Sequence, residues 1–215
     1  SASGRAAGAP MQMDGRSVQT GRHFTVVDAG CSSLARSCAK AQTSGTIKCS
    51  NPQEDAGLDV VTDGEQCRQH FVHGFLEFVE GIDFEQKVKM GIRNNRYEAM
   101  VPTVVGPLRM KSRVHQREAQ LMRAHTKKKL KITMPGAMTI VDTIADRYYG
   151  DKVKMAMAFA DLLNQEARAL QADRVDVIQF DEPAFNVYMD EVKTWGIEAQ
   201  GEFAHSVFKP ESNEL

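Results

Sequence analysis

No stretch of this 215-residue chain is apolar for the roughly 18 residues that a bilayer-spanning helix requires, so nothing in it reads as a membrane element. The start lacks the charged-then-apolar pattern of a secretory signal, which leaves a cytoplasmic location as the expectation. Cysteine is scarce: Cys31, Cys38, Cys49 and Cys67 are unevenly spaced and none forms a C-x-x-C pair. That pattern argues against a disulfide scaffold and against a compact zinc knuckle. Charge of one sign is missing too, because 27 Lys and Arg balance 28 Asp and Glu for a net charge of -1. Bulk electrostatics therefore call for neither a nucleic-acid partner nor a membrane surface. The one basic cluster, Lys127 to Lys131, is broken by Leu130 and reads as a solvated turn before a strand.

What is present is the material of a core, at 42% hydrophobic and 26% charged, in a length suited to one domain or two. Residues 1–50 contribute little of it, being rich in Ser, Gly, Thr and Ala with one short apolar run, Phe24 to Val27. They are expected to be weakly ordered or to pack passively. From residue 51 the texture changes. Leu58 to Val61 reads as a short strand, Gln66 to Val79 as an amphipathic helix ended by Gly81, and Val88 to Arg93 as a hairpin arm turning before Tyr97. Met100 to Gly106 is a buried-strand candidate that leads to a helix over Val114 to His125. Leu130 to Met134 is another strand, followed by helices over Met138 to Tyr149 and Val153 to Ala172. Four strands, near residues 58, 101, 131 and 176, are each followed by a helix, which implies an α/β fold with parallel pairing and right-handed crossovers. A closed eight-stranded barrel takes about 250 residues, and this chain carries about half of one.

The last strand is the most informative. Val175, Val177, Ile178 and Phe180 form a β-branched apolar run of the kind that is fully buried, and it stops at Asp181, Glu182 and Pro183. Strand ends in parallel α/β folds are where ligands sit, so both acids are site candidates. Asp181 is equally suited to capping a following helix whose first turn holds Pro183. Another helix spans Phe185 to Trp195, and the pattern fades from about Gln200.

The segments DVVTDGEQ (59–66), VPTVVG (101–106), MPGAMTIVDT (134–143), LNQEARAL (163–170) and VIQFDEPAFN (177–186) resemble, in order and spacing, the catalytic barrel of cobalamin-independent methionine synthase. The resemblance covers about residues 53–199, within a domain of 51–199 and ahead of a divergent tail of 200–215. It implies a partial (β/α)8 TIM barrel of the uroporphyrinogen decarboxylase/methionine synthase type, roughly four parallel strands with helices plus an inserted hairpin. It implies methyl transfer from methyltetrahydrofolate or another donor to the thiol of homocysteine, with zinc lowering the thiol pKa. Glu65 and Asp181 would hold the amino-acid end of homocysteine and Glu182 would line the same pocket. Thr139 stands at the hydroxyl position of the family's G-P-x-T turn, where it would present the substrate-facing backbone or act only as a helix cap.

The departures are as definite. Residues 1–50 contain no G-S-[LF]-P strand, and the family's zinc ligands, a His-x-Cys pair followed by Glu and Cys, all lie beyond the DEPA strand. His205 has Val207 where that cysteine would stand, and Cys67, His70 and His73 read as helix-surface residues rather than ligands. No metal ligands and no catalytic residue are therefore assigned, and the sequence reads as a truncated or frame-shifted piece. The alternatives are another alkyl-transferase or decarboxylase-like barrel, or a silent fragment acting through self-association at an open sheet edge. A free thiol near pKa 8.5 is only a few per cent thiolate at neutral pH. The expected outcome is thus weak, substoichiometric zinc and no methionine formation by the isolated chain. One tightly held zinc with turnover, by metal analysis and methyl-transfer assay, contradicts it.

Overall fold

The structure is a computed structural model that describes residues 45–46, 50–68 and 70–207. The expectation for Phe24 to Val27 falls outside these residues. The order is β1 (Val60–Thr62), α1 (His73–Leu76), β2 (Val79–Ile92), β3 (Tyr97–Met110), α2 (Gln116–His125), β4 (Lys129–Pro135), α3 (Ala137–Val141), β5 (Ala145–Asp146), α4 (Lys152–Ala172) and β6 (Val177–Asp181). A 3-10 turn (Pro183–Asn186), α5 (Met189–Glu191), a π-helical turn (Val192–Gly196) and α6 (Ile197–Ala204) follow.

The strands form two sheets. In the first, β4 lies between β1 and β6 and pairs parallel with both, Thr62 opposite Lys131 and Lys131 opposite Val177. Directly paired residues share a face and alternate residues take opposite faces. Val61, Leu130, Ile132, Met134, Ile178 and Phe180 therefore point one way, into the core with α4 and α6. Thr62, Lys131, Thr133, Val177, Gln179 and Asp181 point the other, where Lys131 Nζ donates to Gln179 Oε1 at 2.7 Å. The β6 run is half-buried rather than fully buried, because Gln179 and Asp181 alternate outward on an edge strand.

The strand expected near residue 101 is real but belongs to the second sheet. There β2 and β3 make a hairpin of two 14-residue arms, and β3 pairs parallel with the two-residue β5. An apolar run signals a strand without naming its partner, and Met100 and Val105, 56% and 50% exposed, show that this run is not wholly interior. The hairpin turn holds Arg93, Asn94 and Asn95 in the left-handed region. The helix expected over Gln66 to Val79 shrinks to His73–Leu76, with Val79 already in β2. Phe75, Leu76 and Val79 are all buried, so their spacing served core contact in two kinds of structure. Gly81 marks a bulge and not a helix end: at φ +86, a Cβ there would lie 2.6 Å from the Pro107 carbonyl oxygen.

Helix Met138 to Tyr149 is likewise cut short. The Asp146 carboxylate accepts from the backbone N–H groups of Tyr148, Tyr149 and Gly150, closing a turn that a helix cannot pass. By contrast α4 fits its expectation, with Asp151 as N-cap accepting from Val153 N and Lys154 N. Packing also runs past Gln200: Phe203 is buried with its ring 4.0 Å from that of Phe180, and Asn164 Nδ2 donates to the Phe203 and His205 carbonyls.

Arg113, in the segment between β3 and α2, ties that segment to α4 and its C-cap, donating from Nε to Glu166 Oε2 and from Nη2 to Asp173 Oδ2, both at 2.8 Å. The Glu166 side chain is fully buried and takes a second bond, on Oε1, from the His115 N–H at 2.9 Å. Removing one partner of such a buried pair strands a charge. Arg113→Met is expected to cost about 3–5 kcal/mol of stability, read from urea unfolding; a loss under 1 kcal/mol would mean that Glu166 is held without Arg113.

Candidate substrate-binding rim

Because β1, β4 and β6 are parallel, their C-terminal ends open onto one edge. The chain leaves β1 through buried Asp63 into a tight turn in which Gly64 and Glu65 both have positive φ. A glutamate there is strained by about 1–3 kcal/mol, the kind of cost that functional turns retain. Its side chain is 41% exposed, and its Oε1 lies 3.8 Å from Arg68 Nη1. Two strand spacings away, about 10 Å, β6 ends at exposed Asp181, whose carbonyl accepts from Gly136 N at 3.1 Å. The 3-10 turn that follows has no side-chain cap, so the capping role open to Asp181 is not taken up.

Glu182 is placed differently. Its Oε1 accepts from the Thr139 N–H at 2.6 Å and from the Thr139 hydroxyl, while Oε2 accepts from the Met138 N–H at 3.0 Å. It is therefore the cap of α3, reaching across from the neighbouring strand, and negative charge at a helix N-terminus is favourable. Thr139 Oγ1 in turn accepts from the Ala184 N–H at 3.2 Å, closing the clamp. Gly136 is required by it, since a Cβ there would fall 1.9 Å from Glu182 Oε2. Burial pushes the Glu182 carboxyl above the usual carboxylate range, against the pull of those hydrogen bonds and of the Arg93 charge.

Arg93 belongs to a set of residues that sequence reasoning missed. The hairpin turn docks on Asp142, which pairs with Arg93 Nε at 3.3 Å and accepts from the Tyr188 hydroxyl at 2.6 Å. That hydroxyl also accepts from the Asn94 N–H at 2.7 Å. The turn itself was legible; what it lands on, 49 and 94 residues away, was not. The structure thus joins Glu182 and Thr139 directly, leaves Asp181 beside them, and places Glu65 on the same edge across β4.

Cys67 and His70 lie in the segment between β1 and α1, and His73 opens α1. His70 and His73 stack at 4.5 Å, and His70 Nδ1 accepts from the Val72 and His73 N–H groups, which occupies its lone pair. Among the described residues no set of three His, Cys, Asp or Glu is placed to hold a metal ion.

The profile of the family described as cobalamin-independent synthase, catalytic domain, matches residues 18–198. The chain belongs to that family. The match starts well before Gln53, where the resemblance visible by motif begins. Among solved structures, the B12-independent methionine synthase from Shewanella sp. W3-18-1, in complex with selenomethionine, is 42% identical with a TM-score of 0.76. That likeness covers 80% of this chain and 50% of the other. The methionine synthase of Saccharolobus solfataricus is 33% identical over 159 residues, 71% of this chain and 45% of its own length. A vitamin-B12-independent methionine synthase structure from Listeria monocytogenes, at 17% identity and a TM-score of 0.63, shares the fold. The chain spans about half the length of these synthase relatives.

Two outcomes follow from the Glu182 clamp. Glu182→Ala leaves the Met138 and Thr139 N–H groups without their acceptor, and stability at neutral pH is expected to fall by about 2–3 kcal/mol. The pH dependence has the opposite leaning. A carboxyl whose folded pKa is raised stabilises the fold below the unfolded value of 4.5 and loses that contribution as pH rises through the raised value. Glu182→Gln should flatten this part of the melting temperature profile, and an unchanged profile would mean that Glu182 is not the group titrating.

Proposed function

We propose that this chain carries the amino-acid-binding rim of a homocysteine S-methyltransferase, in which Glu65 and Asp181 receive the ammonium group of homocysteine or methionine. The observation that supports it is the parallel order β1, β4, β6, which delivers the two carboxylates to one edge in a chain of the synthase family. An ammonium stripped of water needs charge-assisted acceptors, and carboxylates on strand ends supply them in a defined direction. The selenomethionine held by the Shewanella relative is the selenium counterpart of the product this reading assigns. Glu182 and Thr139 belong to the same rim as its support: they hold the α3 N-terminus and the Asp181 strand end in register, and so orient rather than bind.

In this reading the parallel sheet is part of a (β/α)8 barrel, and its polar face, with Lys131, Thr133 and Gln179, lines the lumen. Zinc supplies thiol activation in the family, but the donor set among the described residues does not fit it. What this chain's own residues do is bind and orient the amino acid. A methyltetrahydrofolate donor and a cytoplasmic setting go with the same reading.

Titration of the purified chain with methionine tests it. Binding is expected, and Glu65→Gln or Asp181→Asn should each weaken it by about 10-fold or more, the value of a hydrogen bond to a charged group. Equal affinity in all three proteins, or none in the wild type, removes the assignment.

A further inference from the structure

Arg68 stands out among the groups that the proposed binding step does not use. Its side chain is 5% exposed, and Nε, Nη1 and Nη2 are all buried with no hydrogen-bond partner among the described residues. A guanidinium carries five donors and stays charged, so burying it unpaired is among the more costly arrangements a protein can hold. It sits at the end of the Asp63–Arg68 turn, its own N–H donating to the Glu65 carbonyl at 3.2 Å. The acids that interact with it are Glu65, with Oε1 at 3.8 Å, and Glu118 of α2, which is buried and whose carboxyl, against the upward push of burial, is held low first by His115 and to a smaller extent by the Arg68 charge. Asp63, wholly buried at the start of the turn, leaves Oδ2 without a partner among the described residues.

A pocket for a free anion does not fit this arrangement. The three nitrogens are covered, and the cation already has the Glu65 and Glu118 carboxylates in its field. The arrangement fits an internal lever instead. Glu118, whose nearest ionisable partner is the His115 ring at 3.9 Å, adds negative charge to the surroundings of Arg68 and so offsets part of its repulsion of an incoming ammonium. Arg68 in turn faces one oxygen of Glu65, about 0.8 Å beyond hydrogen-bond length, and leaves the partly exposed remainder of that carboxylate toward the rim. Resting on the reading above, we propose that Arg68 is a positioning residue: backed by Glu118, it aims the Glu65 carboxylate at the ammonium of the amino-acid substrate. A small inward movement of Glu65 when ligand arrives satisfies the guanidinium and fixes the carboxylate together.

The test compares methionine with 4-(methylthio)butanoate, the same molecule without its ammonium group. Arg68→Met alone strands Glu118 and is at risk of not folding, so the informative protein is the charge-balanced double variant Arg68→Met with Glu118→Gln, beside Arg68→Lys. The wild type is expected to prefer methionine at least 10-fold. The double variant should lose at least two-thirds of that preference while its affinity for the butanoate stays within twofold, and Arg68→Lys should keep part of the preference. In a Glu65→Gln background, the double variant should change neither affinity further. A preference unchanged in the double variant, or both ligands weakened equally, overturns the positioning role while leaving amino-acid binding in place. Wild-type protein that binds neither ligand overturns the underlying reading, and this inference with it.

Discussion

Everything at the rim depends on one constraint, the parallel pairing of β4 with β1 on one side and β6 on the other. Parallel strands point their carboxyl ends the same way, so three segments far apart in the chain discharge their exit loops onto one edge. The register adds a second condition. Thr62 is level with Lys131, whereas Asp181 is level with Pro135, four residues further along β4. On the β1 side the strand ends short of this level, and the chain turns at once through Gly64 and Glu65, both with positive φ. A one-residue slip would exchange the faces of β6 and bury Gln179 and Asp181 in place of Ile178 and Phe180.

The acids that emerge there are employed in different ways. Glu182 is spent on the fold, with both oxygens accepting from α3. Asp181 is exposed and caps nothing, which leaves it available. Glu65 is intermediate, partly exposed and watched by a buried arginine. Three carboxylates on one edge are thus placed as a clamp, an uncommitted group and a group facing a buried cation, a division set by which backbone N–H groups and cations each can reach.

The long hairpin joins this economy from outside. Its arms build a second sheet, and its turn returns to the rim to meet Asp142 and Tyr188. Three consecutive residues in the left-handed region shape that turn, two of them asparagines, which tolerate it best without glycine. The contact with Asp142 and Tyr188 ties the hairpin to the elements that follow β4 and β6, so the two sheets are coupled through polar side chains as well as through the core.

Local features were legible wherever the local signal was the cause. The α4 helix follows from its own apolar periodicity and from Asp151 at its start. The strands over Leu130 to Met134 and Val177 to Phe180 follow from β-branched runs bounded by turn residues. The family follows from five motifs in order, and the acids at strand ends follow from their positions in those motifs. Partner choice was not legible. MVPTVVG reads as a strand whichever sheet receives it, and only the tertiary structure assigned it to the hairpin. Phe75, Leu76 and Val79 have a spacing that a helix and a helix-to-strand junction both satisfy. Gly81 reads as a stop until the carbonyl of Pro107 shows that it is a place of close approach. Nor does sequence distinguish Glu182, which caps, from Asp181, which does not, because capping is decided by where the N–H groups of Met138 and Thr139 lie, more than forty residues away. Periodicity and turn chemistry act between near neighbours, and the chain carries them on its face; pairing, burial of Arg68 and the employment of each carboxylate arise only once distant segments occupy the same space.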